Sequence, residues 1–146
     1  MAGSELPSAV DDLSPAEAKL AKYVIPSPAT LYRDDDGRMS IRTFILELNN
    51  VVPVHVHEKK DKMYVVSGPG SLGVVVFSPS GEKKSYSLFS GQSLSVRRDH
   101  PHYLRYFAAD EGSTMEVMVA SAPDSRSDVR WESQATALVE QTAAKQ

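Results

Sequence analysis

All four histidines of the chain fall in two His-x-His pairs, His55-Val56-His57 and His100-Pro101-His102. Successive side chains of a β-strand alternate faces, so imidazoles at i and i+2 project from one side. β-prone residues adjoin both pairs, Val51–Val54 before the first and Tyr103–Phe107 after the second. Neutral imidazole is the commonest protein metal ligand, so two such pairs brought together can hold one ion. An ion with an open coordination position polarises a substrate oxygen, binds dioxygen or activates water.

Such pairs need rigid strands to position them. Between Thr30 and Ser121, β-rich runs alternate with turn signals about every ten residues, the pattern of an all-β sandwich or barrel. Eight strands are predicted: Ser40–Leu48, Val51–His57, Met63–Ser67, Ser71–Ser78, Lys84–Phe89, Gln92–Val96, His102–Phe107 and Thr114–Ala120. Turn residues separate them, and Pro79-Ser80-Gly81-Glu82 reads as a hairpin. Eight short strands without intervening helices suit a jelly roll or closed barrel. Met39, Phe44, Leu46, Met63, Val74, Val76, Phe77, Leu88, Leu94, Met115, Val117 and Val119 are the expected core. The run Lys59-Lys60-Asp61-Lys62 reads as a charged turn or strand edge.

The flanks differ in texture. Residues 1–29 form an N-terminal arm in which residues 1–13 read as a flexible leader. Ser14-Pro15-Ala16-Glu17 then starts a short helix running to about Tyr23, with Ser14 as N-cap and Glu17 at the capping-box position. The barrel occupies 30–122. Residues 123–146 form a tail, with a helix expected over Trp131–Lys145, packed on the barrel or on a second subunit.

The chain has 146 residues, 41% of them apolar and 24% charged, which suits one soluble globular domain. A net charge of −3 speaks against a nucleic-acid binder, which would carry a basic stripe. Cysteine is absent, which excludes disulfides, thiolate metal sites and cysteine nucleophiles. No apolar run approaches the roughly 18 residues of a membrane span, and the acidic, polar start is no signal peptide. A cytoplasmic protein with no membrane or nucleic-acid partner is expected.

The spacing around both pairs resembles the cupin motifs. The segment from Asn49 through His55-Val56-His57 and Asp61 to Gly68 is similar to the first motif: Gly, five residues, His-x-His, three or four residues, Glu, six residues, Gly. Gly91 through Arg97-Arg98-Asp99 and His102 to Tyr106 is similar to the second: Gly, five residues, Pro-x-Gly, two residues, His, three residues, Asn. The resemblance covers about residues 38 to 121. It departs from the pattern where Asn49 replaces the first glycine, Arg97 the proline, Asp99 the second glycine and Tyr106 the asparagine. It implies an all-β, double-stranded β-helix (a jelly-roll-like barrel) with a short N-terminal helix and a C-terminal helix, commonly as a homodimer. It also implies metal ligation by His55, His57 and His102. Asp61, one methylene shorter than Glu, stands at the acidic ligand's position.

Three imidazoles and a carboxylate suit one divalent transition ion, Fe(II) foremost, or Mn(II), Ni(II), Co(II) or Zn(II). His100 is read either as a pocket residue beside the ligands, able to transfer a proton, or as an exposed turn residue. Tyr106 shares the parity of His102 and is read as a pocket hydrogen-bond donor or as core. Arg42 is a pocket cation for an anionic substrate or an outward residue, and Tyr64 is a further pocket candidate. Arg97 and Arg98 either guard the mouth or sit in a solvated turn. The resemblance implies a metal-dependent enzyme on a small organic substrate, first a non-heme Fe(II) dioxygenase-type oxidoreductase. The alternatives are a metal-dependent isomerase, epimerase or lyase on a sugar or keto acid, and a non-enzymatic small-ligand-binding cupin.

Overall fold

Alternating apolar positions on short strands have to be buried from two sides, and the chain does this with two facing sheets. The computed structural model describes residues 6–107, 110–122 and 129–144. Its elements are a 3-10 turn (Ala9–Asp12), α1 (Pro15–Leu20), β1 (Lys22–Tyr23), β2 (Ala29–Arg33), β3 (Ser40–Glu47), β4 (Asn50–His57) and β5 (Asp61–Ser67). They continue with β6 (Ser71–Phe77), β7 (Lys83–Phe89), β8 (Ser93–Val96), β9 (His102–Phe107), β10 (Thr114–Ala122), β11 (Val129–Trp131) and α2 (Ala135–Ala144). One sheet runs β1-β4-β9-β6-β7, with β11 pairing β4, and the other runs β2-β3-β10-β5-β8. This is the jelly-roll-like double sheet expected of a cupin. Leu46, Val66, Leu72, Val74, Met115 and Val117 fill the space between the sheets.

All eight predicted strands are present, shifted by two residues or fewer at their ends. The hairpin at Pro79–Glu82 joins β6 and β7, closed by Ser78 N–H to Glu82 O at 2.8 Å with Gly81 at φ 93°. Both positions where glycine was replaced keep left-handed backbone, Asn49 at φ 73° and Asp99 at φ 63°. Asn and Asp are the residues that tolerate this region best after glycine. The capping box of α1 also forms, with Glu17 N–H donating to Ser14 Oγ and Ser14 N–H to Glu17 Oε1. The helix stops at Leu20, because Lys22 and Tyr23 pair parallel with Asn50 and Val51 as β1.

Several expectations are corrected. Residues 6–13, read as part of a flexible leader, pack on the outer face of the six-stranded sheet. There Leu6, Ala9 and Leu13 meet Val51, Val54, Val75 and Tyr103. This explains why β4 is buried on both faces. Trp131 is on a strand rather than in the terminal helix, which begins at Ala135. That helix packs against its own chain, where Thr142 Oγ1 accepts from Tyr23 N–H at 2.9 Å. Met39 and Met63 are exposed, not core. Residues 1–5 of the leader, residues 108–109 and 123–128, and the end of the tail at 145–146 lie outside the described residues. No helix among the described residues is long and apolar enough to cross a membrane.

Candidate metal centre

His55 and His57 face the barrel interior because of an irregularity in β4. Val51 pairs with Arg105 and Val52 with Leu104, but His55 pairs with His102, so β4 carries one extra residue between Val52 and His55. Pro53 lies in this bulge. It has no N–H to give a ladder, and an inserted residue inverts the parity of the strand beyond it. Val52 points into the core, whereas beyond the bulge the odd-numbered histidines do so. The Val54 amide at the bulge donates to Glu132 Oε2 at 2.7 Å. The same buried carboxylate accepts from Ala9 N–H at 3.1 Å and from Ser8 Oγ–H at 2.6 Å. Glu132 therefore ties the bulge, the N-terminal segment and β11 together.

His55, His57 and His102 each offer one ligand atom, and the three atoms lie within 4.8 Å of one another. The ring centroids of His55 are 4.3 Å from those of His102 and 5.1 Å from those of His57. A carbonyl oxygen only accepts, so the contacts at 3.0 Å from His55 Nδ1 to Pro53 O and from His102 Nδ1 to His100 O are N–H donations. Both rings are thereby fixed in the tautomer whose Nε2 carries a lone pair. Ligating histidines are oriented in this manner by a partner on the other nitrogen. Burial lowers the pKa of all three rings, that of His55 to about 4. The ammonium of Lys62 pushes each of them in the same direction. Three neutral, converging imidazoles fit a divalent transition ion.

The other site candidates separate. Asp61 is not in the cluster: its carboxylate accepts from Arg98 N–H at 2.8 Å and from Arg98 Nε at 3.4 Å, half-exposed on the outer face of β5. The inward positions of β5 are Lys62, Tyr64 and Val66. The same parity carries Met63 outward. Arg98 is thus engaged at a surface turn, and Arg97 lies on the outside with it. The imidazole of His100 is not at the centre either. Its Nδ1 donates to Arg98 O, and it lines a separate groove with Val76, Tyr86 and Arg97. Only its carbonyl touches the site, as the acceptor for His102. Tyr106 is core, with its hydroxyl donating to Pro69 O at 2.6 Å. Its parity is inward, but it meets the barrel four residues beyond the ligand, at the level of Leu72.

Tyr64 and Arg42 do reach the cavity. Tyr64 is fully buried and donates its hydroxyl to His102 Nε2 at 2.7 Å. Burial raises its pKa, so the phenol keeps its proton. Arg42 donates to Thr30 Oγ1 at 3.2 Å and Ser40 Oγ at 2.7 Å. Sequence reasoning missed Lys60 and Lys62, taken for a charged edge, and Trp131, taken for helix. Trp131 pairs with His55 across β11 and β4, and their ring centroids are 4.7 Å apart. The alternation Val129-Arg130-Trp131 was the available signal for that strand.

No protein-family model matches the chain, and no curated protein matches it. Solved structures do resemble it. A protein from Shewanella oneidensis superposes with a TM-score of 0.63 at 20% identity, covering 95% of this chain and 94% of that one. An oxalate oxidase in complex with glycolate gives 0.60 at 13%, covering 73% of this chain. The match spans 54% of the oxidase's own length. A cupin-2 domain containing protein from Shewanella frigidimarina gives 0.51 at 14%, over 66% of this chain and 79% of that one.

Proposed function

The chain has the cupin fold, and on that premise we propose that it is a metal-dependent enzyme acting on a small organic substrate, with chemistry of the non-heme Fe(II) dioxygenase type. The observation that carries this reading is the convergence of three neutral imidazoles, two of them locked by backbone carbonyls, beside a cavity that His55 and His57 line. His55, His57 and His102 would hold the ion. An Fe(II) bound there would supply a Lewis-acidic, redox-active centre with coordination positions open to substrate and dioxygen. The likeness to an oxalate oxidase supports a small-molecule reaction in this fold.

The remaining residues act by position. Phe44, Val52 and Leu104 line the cavity with apolar surface and limit water beside the imidazoles. Trp131 covers one face of His55. Tyr64 keeps a proton on Oη, next to His102 Nε2, where it can donate to an oxygen of a bound substrate.

Metal content tests the proposal. Untagged protein purified without chelator is compared, by plasma mass spectrometry, with a His55→Ala, His57→Ala, His102→Ala variant. Near-stoichiometric iron that disappears in the variant is expected. Zinc instead would redirect the reading to an isomerase, epimerase or lyase. No uptake of Fe(II), Mn(II), Ni(II) or Zn(II) would overturn the metalloenzyme reading and favour a ligand-binding protein.

A further inference from the structure

An antiparallel sheet with one face in water places polar side chains on that face. The outer face of the five-stranded sheet departs from this. Its register lines up two rows of outward side chains across all five strands, from β2 through β3, β10 and β5 to β8. One row is Tyr32, Ile41, Ala120, Met63 and Ser95, and the next is Ala29, Thr43, Met118, Val65 and Ser93. Neither row contains a charged residue, and no member of either is buried. Met63 is 40% exposed, and Ile45, 55% exposed, extends the band beyond Thr43 on β3. The six-stranded sheet also carries apolar residues on its outer face, but there the N-terminal segment covers Val51, Val54, Val75 and Tyr103. Among the described residues nothing comparable buries the two rows.

We propose that this band is the interface of a homodimer, in which two copies pack their five-stranded sheets face to face about a two-fold axis that runs across the strands, between the two rows. Such an axis sets each row of one copy on the other row of its partner, strand for strand. Large side chains then meet small ones: Met118 of each copy faces Ala120 of the other, and Tyr32 faces Ala29. Side chains of two sheets packed in this way interdigitate at a separation of about 10 Å. The same axis keeps like charges apart. Glu116 pairs with Ile45 beyond the second row, and Glu47 lies at the same end of the strands. Both therefore face the opposite end of the partner's strands, whereas an axis along β10 would stack Glu116 on Glu116. A band that matches itself in size and opposes no charge fits a second copy of this chain. Five strands at about 4.8 Å by about seven residues at 3.4 Å make a face of roughly 570 Å². Interdigitated side chains bury more than this plane, so the two faces together reach roughly the 1,200 Å² at which specific interfaces begin. That area suits a dimer of micromolar affinity. The inference is independent of the metalloenzyme reading.

Sedimentation of the full-length protein from about 1 to 100 µM tests it, in chelator so that no metal bridges two copies. A concentration-dependent rise from 16.0 kDa toward twice that mass is expected. Met118→Asp and Met63→Asp each bury a charge in an apolar interface. Each is expected to raise the dimer Kd at least tenfold, in variants whose thermal melts remain cooperative. Leu20→Asp, at a 56% exposed position of α1 on the side of the other sheet, is expected to leave the Kd unchanged. A chain that stays monomeric to 100 µM would overturn the inference and leave the face to another kind of partner. So would a dimer as tight in folded Met63→Asp as in the parent, or one weakened equally by Leu20→Asp. If Met118→Asp does not fold, Met63→Asp decides, because its side chain already lies exposed in the single chain.

Discussion

Tyr64→Phe is expected to weaken the metal-free protein and tighten its hold on metal. The Tyr64 hydroxyl donates at 2.7 Å to His102 Nε2, and both groups are buried. Removing the hydroxyl leaves a buried acceptor without its donor, which costs roughly 1–3 kcal/mol. We take about 1.5 kcal/mol, because the hydrogen bond is neutral and the Nδ1 side of the ring stays anchored to His100 O. An ion must use that same Nε2 lone pair, so it must displace the tyrosine in the parent but not in the variant. The same 1.5 kcal/mol then reappears as an approximately tenfold lower metal Kd. Urea unfolding in chelator should show the loss of stability, and unfolding in saturating Zn(II) should show little difference. Competition with a chromophoric chelator gives the Kd ratio. An unchanged or higher Kd in Tyr64→Phe would refute the reasoning, since it would mean that the hydroxyl does not compete for Nε2.

Further outcomes follow from the same geometry. Glu132→Ala removes three hydrogen bonds to a buried carboxylate, from Val54, Ala9 and Ser8, and should cost on the order of 3 kcal/mol by denaturant unfolding. Its metal affinity should fall as well, because the bulge that aims His55 and His57 loses its anchor. Asp99→Gly should be more stable than Asp99→Ala by about 1 kcal/mol, because φ is 63° at that position, and paired thermal melts would read the difference. The metal-free protein should lose stability as pH falls from 6.5 toward 4. His55 is depressed from 6.5 to about 4 by burial, so the unfolded chain takes up protons in this window that the folded chain refuses. The contribution of His55 alone is on the order of 3 kcal/mol. A pH-independent urea midpoint over that range would contradict it.

Much of this was legible in the chain. Strand alternation, turn residues and the capping box are local properties, set by side-chain period and by backbone preference at single residues. They determined the eight principal strands, α1 and the β6–β7 hairpin. The two His-x-His pairs and their spacing determined which imidazoles are candidates, and Asn49 and Asp99 declared their left-handed turns by residue type. The tertiary structure decided what these local signals leave open. Asp61-Lys62-Met63-Tyr64 carries a charged and a bulky residue on each parity, so only packing between the sheets turns Lys62 and Tyr64 inward and Asp61 and Met63 out. Regular alternation would give His55 the parity of Val51, which faces outward. The bulge at Pro53 reverses that, and it is held by Glu132, 78 residues away from the amide it accepts. Trp131 reaches His55 only because β11 returns to β4. Each of these outcomes depends on contacts distant in sequence, and the energies that select them exist only once both sheets have closed over the cavity.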